Sequence, residues 1–143
     1  MNELQKTKAW FEQAIPEPTD KQKCVQMGVH IEEIAEMFDA MGPTMKLWAK
    51  STHELADFFK ECGEVAMDVM TEINRAELLD SLVDQQVTST GVGHMLGMHI
   101  LGALTEVNRS NFSKFEDGKP VFDANGKITK GKDYTPPELG DFI

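Results

Sequence analysis

Sulfur chemistry is scarce in this sequence. Its 143 residues hold two cysteines, Cys24 and Cys62, and no Cys-x-x-Cys. Neither a disulfide framework nor a zinc site is suggested, and reduced thiols in a cytoplasm are the simplest expectation. No apolar run approaches the ~18 residues of a membrane-spanning helix. The first residues, MNELQKTKAWFEQAI, contain no signal-peptide core of roughly 7–15 apolar residues, so no targeting leader is expected and the location is taken as cytoplasmic. Basic residues are also in short supply. Fourteen Lys+Arg against 24 Asp+Glu give a net charge of −10, which argues against binding a nucleic-acid polymer. A smaller polyanion remains reachable if metal ions intervene. None of His30, His53, His94 and His99 has a glutamate three residues before it, so the Glu-x-x-His pattern of di-iron bundles is missing.

What is present reads as one all-α domain over residues 1–143. Hydrophobic content of 41% and charged content of 27% are ordinary for a globular chain long enough to build a core. Residues 2–15 form an amphipathic pattern with Leu4, Trp10, Phe11, Ala14 and Ile15 on the buried side, closed by Pro16 and Pro18. Thr19 or Asp20 caps a second helix reaching Met41, with Met27, Ile31, Ile34, Ala35, Phe38 and Met41 on one side. Gly42-Pro43 breaks the pattern. A third helical stretch runs from about 44 to 70, carried by Leu47, Trp48, Leu55, Phe58, Phe59, Val65 and Val69, with Gly63 as a break or kink. Asn74 caps a fourth that continues to about Leu96 and ends at Gly97. The last runs from His99 to about Phe115, with Ile100, Leu101, Leu104 and Val107 inward. Residues 116–143 change character. Asn125-Gly126 between two short apolar runs signals a β-hairpin, and Lys130 to Pro137 reads as an extended arm. An isolated hairpin is marginal in water, so this tail is expected to pack on the helices or on a second subunit.

The chemistry points to acidic helix faces. On a helix at ~100° per residue, Glu77, Asp80 and Asp84 fall within an arc of roughly 60°, opposite Leu78, Leu79, Leu82 and Val83. Like charges on one face repel, and a hard divalent cation with oxygen ligands relieves this. Spacing alone does not single out that face. Acidic pairs three apart occur at 17/20, 33/36, 36/39, 54/57, 61/64, 77/80 and 138/141, and a solvated acidic face explains any one of them. Two pairs on neighbouring helices, Glu33/Glu36 and Glu77/Asp80, would suffice for Mg²⁺ acting on phosphates. Arg109, Lys114, Lys119, Lys127, Lys130 and Lys132 supply cations near the end of the chain. The run Gly126-Lys-Ile-Thr-Lys-Gly131-Lys132 is close to a phosphate-binding loop. Asp133 stands where that motif needs Ser or Thr, and no helix pattern follows, so it is rejected.

Three segments together carry a family resemblance. Glu32-Glu33-Ile-Ala-Glu36 followed by Glu77-Leu-Leu-Asp80 with Asp84 resembles the EExxE…ExxD signature of the all-α nucleoside triphosphate pyrophosphohydrolases, MazG-like proteins with phosphoribosyl-ATP pyrophosphohydrolases and dimeric dUTPases as relatives. Glu106-Val-Asn-Arg109-Ser-Asn111-Phe-Ser-Lys114-Phe is similar to that family's last-helix motif. The tail from Asp117 through Lys130-Gly-Lys-Asp-Tyr134-Thr-Pro-Pro to Leu139 is similar to the extension of its single-domain members. The resemblance implies an antiparallel four-helix-type bundle with a C-terminal hairpin and arm, active as a homodimer or a dimer of dimers. It implies Mg²⁺, or Mn²⁺ in its place, and hydrolysis of a nucleoside or deoxynucleoside triphosphate to the monophosphate and pyrophosphate. Glu33, Glu36, Glu77 and Asp80 would hold the metal, with Asp84 as a further ligand or support. Glu32 would orient or deprotonate the attacking water, and Asn111 would contact the nucleotide. Lys114 would contact its phosphates, with Arg109, Lys130 and Tyr134 as further candidates. Nucleotide-pool control or house-cleaning is the expected role. A dUTPase- or dCTPase-like specialist and a non-catalytic helical binding module are the alternatives. Forty residues separate Glu36 from Glu77, more than is typical of the family, which leaves the substrate open.

Overall fold

The computed structural model describes every residue except Asn125. The described residues form six α-helices and two 3₁₀ turns, with no β-strand. Among the described residues no helix is long and apolar enough to cross a membrane. The helices are α1 (Glu3–Ala14), α2 (Asp20–Ala40), α3 (Lys46–Glu61), α4 (Glu64–Thr71), α5 (Arg75–Met95) and α6 (Ile100–Phe112).

Local chemistry sets their ends. Asn2 caps α1 and Thr19 caps α2, each in a reciprocal capping box with the glutamine three residues on, Gln5 and Gln22. Asn74 accepts from the Glu77 amide at the start of α5. Gly42, at φ 98°, lets the chain turn into a 3₁₀ turn begun by Pro43, and α3 follows directly. The long third stretch breaks where α3 ends in a left-handed residue, Cys62 at φ 56°, one position before the expected glycine.

The chain divides into two compact units. The first comprises Met1–Pro16, Asn74–Val121 and Ile128–Ile143, and the second Glu17–Ile73 and Phe122–Lys127. In the first, α1 packs on α6. Trp10 stacks on Phe115 with centroids 5.6 Å apart, and its indole N–H donates to the Asn111 carbonyl at 2.8 Å. Buried Asn108 donates to the Glu3 carbonyl and carboxylate at 2.9 Å each and accepts from the Thr7 hydroxyl. In the second unit, α2 and α3 form a tightly packed antiparallel hairpin, and α4 folds back on α2. Gly28 makes the close approach possible: a Cβ there would sit 2.6 Å from the Ala56 carbonyl oxygen. Cys24, Phe59 and Ala66 form the core of this unit.

Several expected core residues are exposed. Leu4, Leu47, Trp48, Met41 and Leu101 face solvent, as do Leu79 and Val83 on the presumed packing face of α5. The helical period places them on apolar stripes, and among the described residues those side chains are exposed. The two strands expected around Asn125-Gly126 do not form as strands among the described residues, and Asn125 itself lies outside them. Single backbone bonds hold the segment instead, from the Asp123 amide to the Lys127 carbonyl at 2.9 Å and from the Thr129 amide to the Val121 carbonyl at 2.7 Å.

Candidate functional site

In the second unit, the carboxylates of α2 form a stripe against α3. Glu32, Glu36 and Asp39 follow one another at spacings of four and three, which at ~100° per residue keeps them within roughly 60°. Lys60 Nζ donates to Glu32 Oε1 at 2.6 Å, and Asp57 stands 3.4 Å from the same ammonium. Lys127 approaches the other Glu32 oxygen at 3.6 Å. Seven residues along the stripe, His53 Nε2 lies 2.7 Å from Asp39 Oδ2. The two pairs are therefore seven residues apart on both helices, the same two turns counted in opposite directions. They pin the rotation of α2 against α3 and leave Glu36 between them, exposed.

The charges set the protonation states. The Lys60 hydrogen bond, helped by the charge of Lys127, holds the Glu32 carboxyl below its ordinary range. The same bond raises Lys60. Asp39 raises His53 above its ordinary value, and the charges of Glu32 and Glu36 act in the same direction. Glu32 is thus a fixed anion, better suited to orienting a water molecule than to removing its proton. Beside it, Val25, Asp57, Lys60, Glu61, Asp123 and Lys127 line an open cleft of about 470 Å³ in which both signs of charge meet. Glu33 and Glu36 lie one turn apart on exposed α2 surface.

In the first unit, Glu77, Asp80 and Asp84 are exposed on α5. The two carboxylate sets, Glu33/Glu36 and Glu77/Asp80/Asp84, thus fall in different units. Among the described residues, no group of three or more His, Cys, Asp or Glu side chains gathers as a metal site. Each set alone offers hard oxygen donors one turn apart, which fits a Mg²⁺ ion that keeps most of its water.

The last-helix motif ties the tail down. Arg109 is held in a fork by Glu106, Nε to Oε2 at 2.8 Å and Nη2 to Oε1 at 2.7 Å, and also donates to Thr135 Oγ1 and the Pro136 carbonyl. Glu106 accepts from the Glu138 amide as well, and these bonds pull its pKa down to about 2. Ser110 Oγ donates to the Thr135 carbonyl, and Ser113 Oγ accepts from the Thr135 amide. Arg109 is therefore committed to the tail, which weakens its candidacy as a phosphate ligand. The Lys114 ammonium sits 5.7 Å from the Trp10 ring centroid, and Lys130 sits 4.9 Å from that of Tyr134. Asn111 is half-buried and accepts from Trp10 through its carbonyl.

No family model matches the chain, and no curated protein or solved structure does either. The site therefore rests on its own geometry. Sequence reasoning missed Lys60, His53 and Asp39. Their signal was there: acids at 32 and 39 and basic groups at 53 and 60 share a spacing of seven, on either side of the Gly42-Pro43 break. Reading it required knowing that the two helices form a hairpin in that register.

Proposed function

We propose that this chain is a Mg²⁺-dependent nucleoside triphosphate pyrophosphohydrolase, acting on ribo- or deoxynucleotides in pool control or house-cleaning. The observation that carries the reading is the α2 stripe, where Glu36 stands exposed between two anions held in place by Lys60 and His53. A triphosphate site needs carboxylates for the metal and ammonium groups for the phosphates; in the second unit α2 carries the exposed Glu33 and Glu36, and Lys60 and Lys127 line an open cleft.

The metal-holding candidates of this reading are Glu33 and Glu36 on α2 in the second unit and, separately, Glu77, Asp80 and Asp84 on α5 in the first. A bound Mg²⁺ supplies charge neutralisation at the departing pyrophosphate and activation of a water. Glu32, ionised by its lysines, accepts a hydrogen bond from the attacking water and fixes its direction. In this reading Asn111 would contact the nucleotide and Lys114 its phosphates, with Lys130 and Tyr134 as further candidates. The active form is a homodimer or a dimer of dimers. Leu79 is 63% and Val87 65% exposed on α5, and a second copy covering that stripe would complete a four-helix-type bundle. The tail's hydrogen bonds at Asp123 and Thr129 then belong to a hairpin arm.

One observation favours a second reading. Among the described residues no three ligating side chains converge, as expected of a helical module that binds without turnover. The deciding experiment measures pyrophosphate and phosphate release from the common ribo- and deoxynucleoside triphosphates and dUTP, with Mg²⁺ or with EDTA. Metal-dependent pyrophosphate with the monophosphate left behind supports the enzyme, and the ranking of rates separates a broad hydrolase from a dUTPase- or dCTPase-like specialist. Binding without product, in protein shown to be folded, supports the module.

A further inference from the structure

The two cysteines are 38 positions apart in sequence, yet both converge on one carbonyl. Phe59 O accepts from Cys24 Sγ at 3.4 Å and from the Cys62 amide at 3.1 Å. The Cys24 sulfur and the Cys62 backbone are therefore no further apart than two hydrogen bonds laid end to end. Cys62 packs on the apolar cluster that contains Cys24, and its own thiol lies 3.2 Å from Met67 Sδ. The two residues differ in access. Cys24 is fully buried on α2, whereas Cys62 is half-buried at the end of α3. The backbone there is left-handed, a conformation that helix ends usually give to glycine. Here it turns a cysteine toward the core while leaving one side reachable.

We propose that Cys24 and Cys62 form a reversible redox pair, a modification site at which a peroxide joins α2 to the end of α3. In the first step a peroxide transfers one oxygen to Cys62, giving the sulfenic acid and the corresponding alcohol, or water from hydrogen peroxide. In the second, the Cys24 sulfur attacks the oxidised sulfur, the S–S bond forms, and the oxygen leaves as water with the two thiol protons. The balance is two thiols oxidised by two electrons and one peroxide reduced. A low-molecular-weight disulfide gives the same product by exchange. Burial pushes the Cys24 thiol up to about 11, which keeps it mostly protonated and directs the first oxidation to half-buried Cys62. The bond would lock the end of the hairpin where Lys60, two residues before Cys62, holds Glu32. This inference does not depend on the proposed hydrolysis.

The test treats the folded protein with hydrogen peroxide, and separately with oxidised glutathione. It then counts thiols after denaturation and records the intact mass. The expected result is loss of both thiols within one chain, a mass lower by two hydrogens, one peptide linking residues 24 and 62, and full reversal by dithiothreitol. The Cys62→Gly variant suits the left-handed backbone, so it should fold, and its Cys24 should resist both oxidants. Three outcomes would overturn the proposal: a glutathione adduct or sulfinic acid on Cys62 with Cys24 still free, a link between chains, or Cys24 reacting in Cys62→Gly as fast as in the parent.

Discussion

Lys60 Nζ reaches Glu32 Oε1 at 2.6 Å across the α2–α3 hairpin, with both side chains about three-quarters buried. At this depth an ion pair is more than surface decoration, because removing either partner leaves a poorly hydrated charge behind.

The pH dependence follows from the carboxylate. Glu32 titrates below its ordinary 4.5 in the folded protein. A depressed folded pKa contributes stability that is fully present above the unfolded value and is lost as pH falls through the folded one. Thermal melts from pH 7 down to the acid limb should therefore show destabilisation beginning near 4.5. In Lys60→Met that acid-limb loss should shrink, and stability at pH 7 should drop by about 1–3 kcal/mol, the cost of leaving a partly buried charge with only the longer Lys127 contact.

His53 works in the opposite sense. Asp39 raises its pKa above 6.5, so the pair stabilises below that value and its contribution fades as pH rises through the folded pKa. A proton NMR titration of the His53 ring should place its midpoint above 6.5, and Asp39→Asn should bring it back toward 6.5. A midpoint unmoved by that substitution would mean the pair does not persist in solution.

Gly28 is where α2 and α3 come closest. An added Cβ would meet the Ala56 carbonyl oxygen and Lys60 Cγ at 2.6 Å and the Lys60 amide at 2.8 Å, so backbone must move. Gly28→Ala should cost about 1–3 kcal/mol in denaturant unfolding. Gly63→Ala, which meets nothing within 4 Å, should cost far less.

Glu106 anchors the tail through Arg109 and the Glu138 amide. Amide hydrogen exchange of Glu106→Gln should quicken at Thr135, Glu138 and Leu139 and stay unchanged in α2 and α3. Unchanged exchange throughout would show that the serine contacts to Thr135 are enough to hold the arm.

Much of this was legible in the sequence, and the reasons are local. Thr19 with Gln22 and Asn74 with the apolar period after it state their helix starts outright, and Gly42-Pro43 states a break. Burial was read less well. Leu47, Trp48, Leu79 and Leu101 carry the period of a packing face, but periodicity does not say whether the cover comes from the same chain. The break after α3 was assigned to Gly63, whereas Cys62 takes the left-handed conformation. For the site, the exposed acids were visible as spacing. The cations that hold Glu32 and Asp39 come from α3 and the tail, and only the fold brings them there. The last-helix motif shows the converse. Arg109, read as a ligand candidate, holds the tail in place.

The central claim is that the α2 stripe catalyses pyrophosphate release. It is tested most directly by assaying the parent and Glu36→Gln side by side, with Mg²⁺ and a mixture of deoxynucleoside triphosphates. The account predicts Mg²⁺-dependent pyrophosphate from the parent. In the variant, release should fall by about 100-fold, the scale expected when support for a bound metal is lost, with an unchanged melting temperature. Equal release from both proteins, or none from folded parent, would contradict it.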